Sequence, residues 1–540
     1  MAIAGTIGAP SWVSSGAVIT GGLDLLGLRL PVQFISGSLL DGVTTVTPSV
    51  RYIAFRAWLI YRYGQSGLPD SWQSFTDFSA RIECALVLGN LIQDRTISGL
   101  IGSDQALVRL DANTSTIAIS PLVKAPATTI YAGPSDQLGI TKSRDDAVPA
   151  LVAERGSPLA LSVDQRFEKI PVIERLLTQS DFTDISRDEL LELGAIARID
   201  QIPDLEREAL IGALFPAKPL SKERARIGTY AALLTLAKQS KGLPAEGDVF
   251  SAACSMGRFG EPILDRVADG WTMYCVRDSI AVTQEAVLAA VMGEITAGED
   301  DGRSGVARTV IIAALMERVD VHGDALRSLG LLGSGESVAE LSFRRLYSRI
   351  EKRLTAESEK QNGITRWPTD LIEPRLYRLA MKSGAGALTL AVVAWIMATI
   401  RVGTAVKENG HDSVSLSYQG WRRFGLREVI LPELDRFLRE DKPLRDCAAE
   451  LAYRTVQQHL QVAWSRLQVD LTRDVALLTA EGDKWFSRGK GFAGGRTASR
   501  LQQAVGWLKQ LKLVDASGIT ADGDQVLRTA LSVLSERSVA

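Results

Sequence analysis

Apolar residues recur at helical spacing in long blocks along most of this 540-residue chain, and that periodicity restricts the architecture to one built mainly from packed helices. A first helix is expected from Leu23 to Leu40, containing or interrupted by Pro31. Thr47 before Pro48 reads as a cap and first-position pair, opening a helix with Arg51, Tyr52, Phe55, Arg56, Trp58, Tyr61 and Arg62. Tyr52, Phe55 and Leu59 share one side, so core packing with snorkelling arginines is expected, with nucleobase stacking the sharper alternative. Further helices are expected from Asp70 to Asp94, Leu205 to Phe215, Lys222 to Lys241, Thr272 to Ile295, Leu341 to Glu359 and Ala448 to Leu467. From Thr96 to Lys142 the character changes. Short apolar runs at Thr116–Ile119 and Thr128–Tyr131 lie between Pro, Gly, Ser and Asp, and predict irregular structure with two or three strands.

Length and a 46% hydrophobic content allow a substantial core. Segments 1–95 and 96–143 are read as an N-terminal helical region and an insert, 144–298 and 306–468 as two helical domains, and 469–540 as a separate C-terminal domain. Ala297–Gly305 is the linker or exposed loop between the helical domains. The 61 Lys and Arg against 63 Asp and Glu leave a net charge of -2, so any nucleic-acid contact must come from a local patch. Cys84, Cys254, Cys275 and Cys447 stand far apart and form no CxxC pair, and His322, His411 and His459 make no metal-binding spacing. No metal, cofactor or catalytic constellation is therefore expected. Met1–Pro10 lacks a basic region ahead of its apolar residues, so no secretory signal is read and the cytoplasm is the expected compartment. The uncharged run Ser383 to Ile400 just reaches membrane-spanning length, but its Gly, Ser and Thr content favours a buried helix.

The tail, from Leu471 to Leu534, is read as a helix, a basic glycine-rich loop at Ser487–Arg496, a second helix from Thr497 to Lys512, a short hairpin at Leu513–Thr520 and a helix from Asp522. Leu501, Ala504, Val505, Leu508 and Leu511 give the second helix its apolar stripe, while Arg496, Arg500, Gln503 and Trp507 fall on the neighbouring face. This order resembles a winged helix-turn-helix, so the fold class expected is mainly α: a multi-helix body, a small irregular or β insert and a C-terminal winged helix. The resemblance implies contact with double-stranded DNA through Arg488, Lys490, Arg496, Arg500, Gln503 and Lys509; protein docking or a merely solvated face are the alternatives. Gly489-Lys490-Gly491 is followed by Phe492, which disfavours a Walker phosphate loop. A second basic run, Arg344, Arg345, Arg349, Lys352 and Arg353, is read as a solvated helix face or else a phosphate-contacting strip.

Residues Leu23–Leu28, Ser38–Thr47 and Val50–Trp58 resemble a pattern of uncharacterised bacterial helical proteins from phage-defence neighbourhoods, in which a turn leads into an Arg-Tyr-x-x-Phe-x-x-Trp helix; Asp41 stands here where those have Pro. The resemblance implies a multi-gene defence or DNA-processing setting and carries no catalytic residue. The expected function is a non-catalytic subunit that contacts DNA and partner proteins of the same system. A protein-only scaffold is the alternative, and a cryptic nuclease with Asp474 and Glu481 on a metal is a third reading.

Overall fold

The computed structural model describes residues 24–112, 114–179, 181–254, 259–300, 305–317, 322–358, 376–380, 388–408, 426–468, 474–488, 492 and 495–536. The fold is mainly α, with a few short strands. It divides into two compact units, each assembled from segments far apart in the chain. One comprises Met1–Gln33, Met273–Lys360 and Pro368–Thr497; the other comprises Phe34–Thr272, Gln361–Trp367 and Ala498–Ala540.

In the unit that holds Phe34–Thr272, the Arg51–Tyr63 helix packs against Gly156–Phe167, Trp72–Gln93 against Arg187–Ile196, and Arg224–Ser240 against Ala521–Ser535. The second pair is the tightest. A Cβ on Gly194 would collide with the Gly89 carbonyl oxygen, so the two helices meet backbone to backbone at a point where only glycine fits. Arg51–Tyr63 is buried on nearly all sides, polar residues included: Arg51 is 0% exposed and forks onto Glu206, Nε to Oε1 at 2.8 Å and Nη2 to Oε2 at 2.9 Å. The aromatic side chains of this helix are core, as their spacing implied: Trp58 lies edge-on to Phe167 at 4.8 Å and donates to Asp164 at 2.9 Å.

Two local expectations are corrected in this unit and one holds. The helix begins at Arg51 with Val50 at its cap position, and Thr47 instead closes a turn by accepting from Thr44 N at 3.0 Å and donating to Thr44 O at 2.8 Å. Thr128–Tyr131 is not a strand, because Ala127–Ile130 is a short helix whose first free amides donate to the buried Glu83 carboxylate at 2.7 and 2.6 Å. The strand at Thr116–Ala118 does form, pairing antiparallel with Asp184–Ser186.

In the other unit, Phe343–Ser358, Leu388–Glu408, Leu431–Glu440 and Leu444–Leu467 pack together. Phe343 and Phe437 meet at 5.2 Å, and Trp395 stands edge-on to Phe437 at 6.0 Å. The apolar helix is buried there, with Leu388, Leu390, Val392, Val393, Trp395, Ile396 and Met397 all at 2% exposure or less. Among the described residues one helix, Pro262–Asp300, is long and apolar enough to cross a bilayer, and 78% of its most apolar window is buried. That helix continues through Ala297–Asp300, where a linker was expected; 301–304 lie outside the described residues.

The tail opens differently from the expected helix. Leu478–Glu481 and Lys484–Ser487 form a hairpin, Glu481 pairing with Lys484 across Gly482-Asp483, and Val306–Ala307 adds a third strand. Gly482 takes φ +59°, the left-handed region that a two-residue hairpin turn requires. The later elements match their expected order: helix Leu501–Gln510, hairpin Val514–Asp515 with Gly518–Ile519, and helix Ala521–Ser535. Replacing Gly194 with Ala is expected to force the Trp72–Gln93 and Arg187–Ile196 helices apart and cost about 1–3 kcal/mol, seen as a lower denaturant midpoint.

Candidate nucleic-acid interface

The Leu501–Gln510 helix uses its polar face internally. Arg500 donates to Val43 O at 2.8 Å, Gln503 to Thr45 O at 3.3 Å, Trp507 to Thr47 O at 2.9 Å and Gln510 to Pro48 O at 2.9 Å. Gln510 also accepts from Val50 N at 2.9 Å. Four side chains at helical spacing therefore take up the main-chain groups of a segment that has no secondary structure to satisfy them. Burial lowers the Arg500 pKa from its ordinary value, with Asp41 acting the other way. Its guanidinium lies over Gly37, where an added Cβ would come within 3.3 Å of it.

The other residues singled out in the tail are scattered. Arg496 is 41% exposed, yet Nη1 is bound to the buried Asp278 at 2.8 Å and the guanidinium stands 5.0 Å from the Tyr377 ring centre. Burial works to lower its pKa, and Asp278 together with Tyr377 and Cys275 raises it overall. Asp278 also accepts from Thr497 N at 2.9 Å, and Arg29 donates to Thr497 Oγ1 at 3.3 Å while pairing with Glu285. Arg488 is exposed and ion-paired with Asp474. Lys509 is exposed, and Lys490 lies outside the described residues. Asp474 is thereby engaged with Arg488, while Glu481 is an exposed strand residue.

The Phe343–Ser358 helix presents a more coherent cationic surface. Phe343, Leu346, Ile350 and Leu354 form its buried stripe, so Arg344, Arg345, Ser348, Arg349 and Lys352 are left on the opposite side. With Ser342 and Asp441 they line a shallow cleft of about 470 Å³. Arg344 and Arg345 are 57% and 62% exposed, and Lys352 is exposed with no ion-pair partner among the described residues. Asp441 is held by Ser342 Oγ at 2.6 Å and Arg344 N at 3.0 Å, contacts that lower its pKa. Arg344 Nη2 donates to Leu438 O at 2.6 Å, and Nη1 stands 3.9 Å from Asp441 Oδ2 in a long ion pair, so the side chain is oriented and only loosely answered. The sequence singled out these cations as a run; the contribution of Ser342 and Asp441 from outside the run was not legible.

Among the described residues no group of three or more His, Cys, Asp or Glu side chains is placed to hold a metal. His459 is fully buried and bonded at both ring nitrogens, Nδ1 lying 3.0 Å from Leu25 O and Nε2 3.0 Å from the Leu477 amide. Since the amide can only donate, Nε2 must accept and Nδ1 must carry the proton, which fixes the neutral tautomer. Burial depresses its pKa.

Two measurements check these assignments. Replacing Arg500 with Ala leaves the Val43 carbonyl without its charged donor and is expected to cost about 1–3 kcal/mol of stability, read from the denaturant midpoint. For His459, the depressed folded pKa means that above about pH 6.5 both states are neutral. Below it the unfolded chain takes up a proton that the folded chain refuses, so stability falls with falling pH until the folded pKa is reached. His459→Gln is expected to flatten that part of the pH–stability curve relative to the parent chain.

No family model, curated protein or solved structure matches the chain.

Proposed function

We propose that this protein is a nucleic-acid-contacting subunit that grips the phosphate backbone through the Ser342–Lys352 cleft. The observation that carries the reading is the grouping of Arg344, Arg345, Arg349 and Lys352 with the Ser348 hydroxyl on one open, shallow surface, where Ser342 Oγ is engaged by Asp441. Guanidinium, ammonium and hydroxyl groups are the donors that phosphate oxygens accept. The cleft lining contains no Asn, Gln or aromatic side chain, so the reading has the chain holding backbone rather than base edges or unstacked bases. Duplex DNA of any sequence is then a sufficient ligand.

The order of helix, hairpin and helix from Leu501 to Ser535 supports a winged-helix-like element. In this reading its would-be recognition face serves packing, since Arg500, Gln503 and Trp507 are occupied by the Val43–Thr47 main chain. The N-terminal resemblance supplies the setting we propose: a cytoplasmic, multi-component defence or DNA-processing system in which the chain positions nucleic acid for a partner.

Binding of the full chain to duplex DNA across a salt series is the test. Arg344→Ala combined with Lys352→Ala is expected to weaken binding and to reduce the log–log salt slope by about 2, at roughly 0.9 for each phosphate no longer neutralised. Equal affinity and slope in the parent chain and the double variant would move the function to protein-only scaffolding.

A further inference from the structure

Arg349 is engaged within the chain, and its Nη1 also donates to Leu331 O at 3.1 Å. It forks onto Glu336, Nη1 to Oε2 at 2.7 Å and Nη2 to Oε1 at 2.8 Å. Arg345 Nη2 reaches the same Oε1 at 2.9 Å, and the Gly333 amide donates to Oε2 at 2.6 Å. Three N–H donors and a second guanidinium in ion-pair contact thus converge on two carboxylate oxygens. A forked guanidinium, a second guanidinium and a main-chain amide aimed at one point form a donor set that suits a phosphate oxyanion as well as a carboxylate.

The grip is open to water. Arg345 is 62% exposed, Arg349 27% and Glu336 24%, so exchange of one anion for another does not require a buried charge to be stranded. Glu336 also stands outside any helix or strand, in a segment anchored by Arg327 donating to Glu336 O at 3.1 Å. The Arg349 fork and the Gly333 amide hold the Glu336 carboxyl down at a pKa of about 2, so it is ionised at any working pH and its replacement moves no proton.

We propose that Glu336 is a displaceable internal occupant of a phosphate seat: a phosphodiester of the bound nucleic acid replaces its carboxylate on Arg345 and Arg349. The inference rests on the cleft being the nucleic-acid contact. In the free chain Glu336 then answers Arg345 and Arg349 closely, while Asp441 stands 3.9 Å from Arg344, so Lys352 and the loosely paired Arg344 meet the backbone at first approach. Once displacement occurs, Arg345 and Arg349 add their contacts.

The test uses the full chain, random-sequence duplex DNA and fluorescence anisotropy over a salt series. Glu336→Gln keeps a carbonyl acceptor for the Gly333 amide while removing the competing charge. It is expected to tighten binding several-fold and to steepen the log–log salt slope by up to about 1, the worth of one more neutralised phosphate, and adding Arg345→Ala is expected to take back part of that gain. Glu340→Gln removes the same unit of charge from an exposed pair with Arg445 and is expected to leave the slope unchanged. An equal gain from Glu340→Gln would reduce the effect to long-range charge and overturn the proposal. So would unchanged or weaker binding by Glu336→Gln in a protein whose Arg344→Ala/Lys352→Ala variant still loses affinity. A double variant that binds like the parent chain would instead remove the cleft reading itself, and the proposal with it. Matched thermal melts of all variants keep these outcomes from being confused with misfolding.

Discussion

A main-chain carbonyl that leaves water must find a donor, and the segment from Val43 to Val50 has little regular structure to provide one. The helix Leu501–Gln510 does so from more than four hundred residues away, with the side chains of Arg500, Gln503, Trp507 and Gln510 standing in for a missing secondary-structure partner. The same requirement organises the buried charges. Arg51 forks onto Glu206, Glu223 takes both Arg155 and Arg226, and Asp278 takes Arg496 together with the Thr497 amide. Each is a charge whose desolvation is offset only by a short, directed partner, so removing one member costs more than the pair gains. Polar residues in this chain are therefore as much a part of its packing as the aliphatic ones.

That is also why the tail was hard to read. Helices were legible wherever apolar residues kept a 3.6-residue period, and Trp72–Gln93, Asp204–Leu214, Arg224–Ser240 and Leu444–Leu467 lie close to where that period puts them. The face carrying Arg500, Gln503 and Trp507 was legible as a face. What it meets was not, because the partner is main chain, and a carbonyl leaves no trace in a residue's identity. Thr47 misled for a related reason: Thr followed by Pro is a good cap in isolation, but its hydroxyl is used in closing the turn at Thr44. The Leu478–Ser487 hairpin did have a signal, Gly482-Asp483 between two short strands, which a reading for helical order passed over.

The Phe343–Ser358 helix is the converse case. Its apolar stripe of Phe343, Leu346, Ile350 and Leu354 fixes its rotation, and that rotation alone decides that Arg344, Arg345 and Lys352 face water. Here sequence pattern and structure agree because the stripe sets which way the cations face, whatever partners they then find. Long guanidinium and ammonium side chains in water lose nothing by staying there, whereas the half-buried Arg500 of the tail had to be answered by the Val43 carbonyl. Exposure alone does not separate a contact surface from a structural charge, since Arg496 is 41% exposed and still bound to Asp278; what a basic group already pairs with must be counted as well.

With a net charge of -2, the whole chain offers a distant polyanion little attraction, and at physiological salt a local patch is felt over only about 8 Å. Under the proposed function, binding then depends on contacts made after encounter rather than on steering before it. A cleft in which Glu336 already satisfies Arg345 and Arg349 carries that logic one step further, since the inner cations add to binding only when a phosphate is close enough to compete directly. Such a surface holds weakly what it meets alone and firmly what a partner holds in place, because a tethered backbone presents its phosphates at high effective concentration. For a subunit without its own charge field, that difference is what would restrict tight binding to the assembled complex.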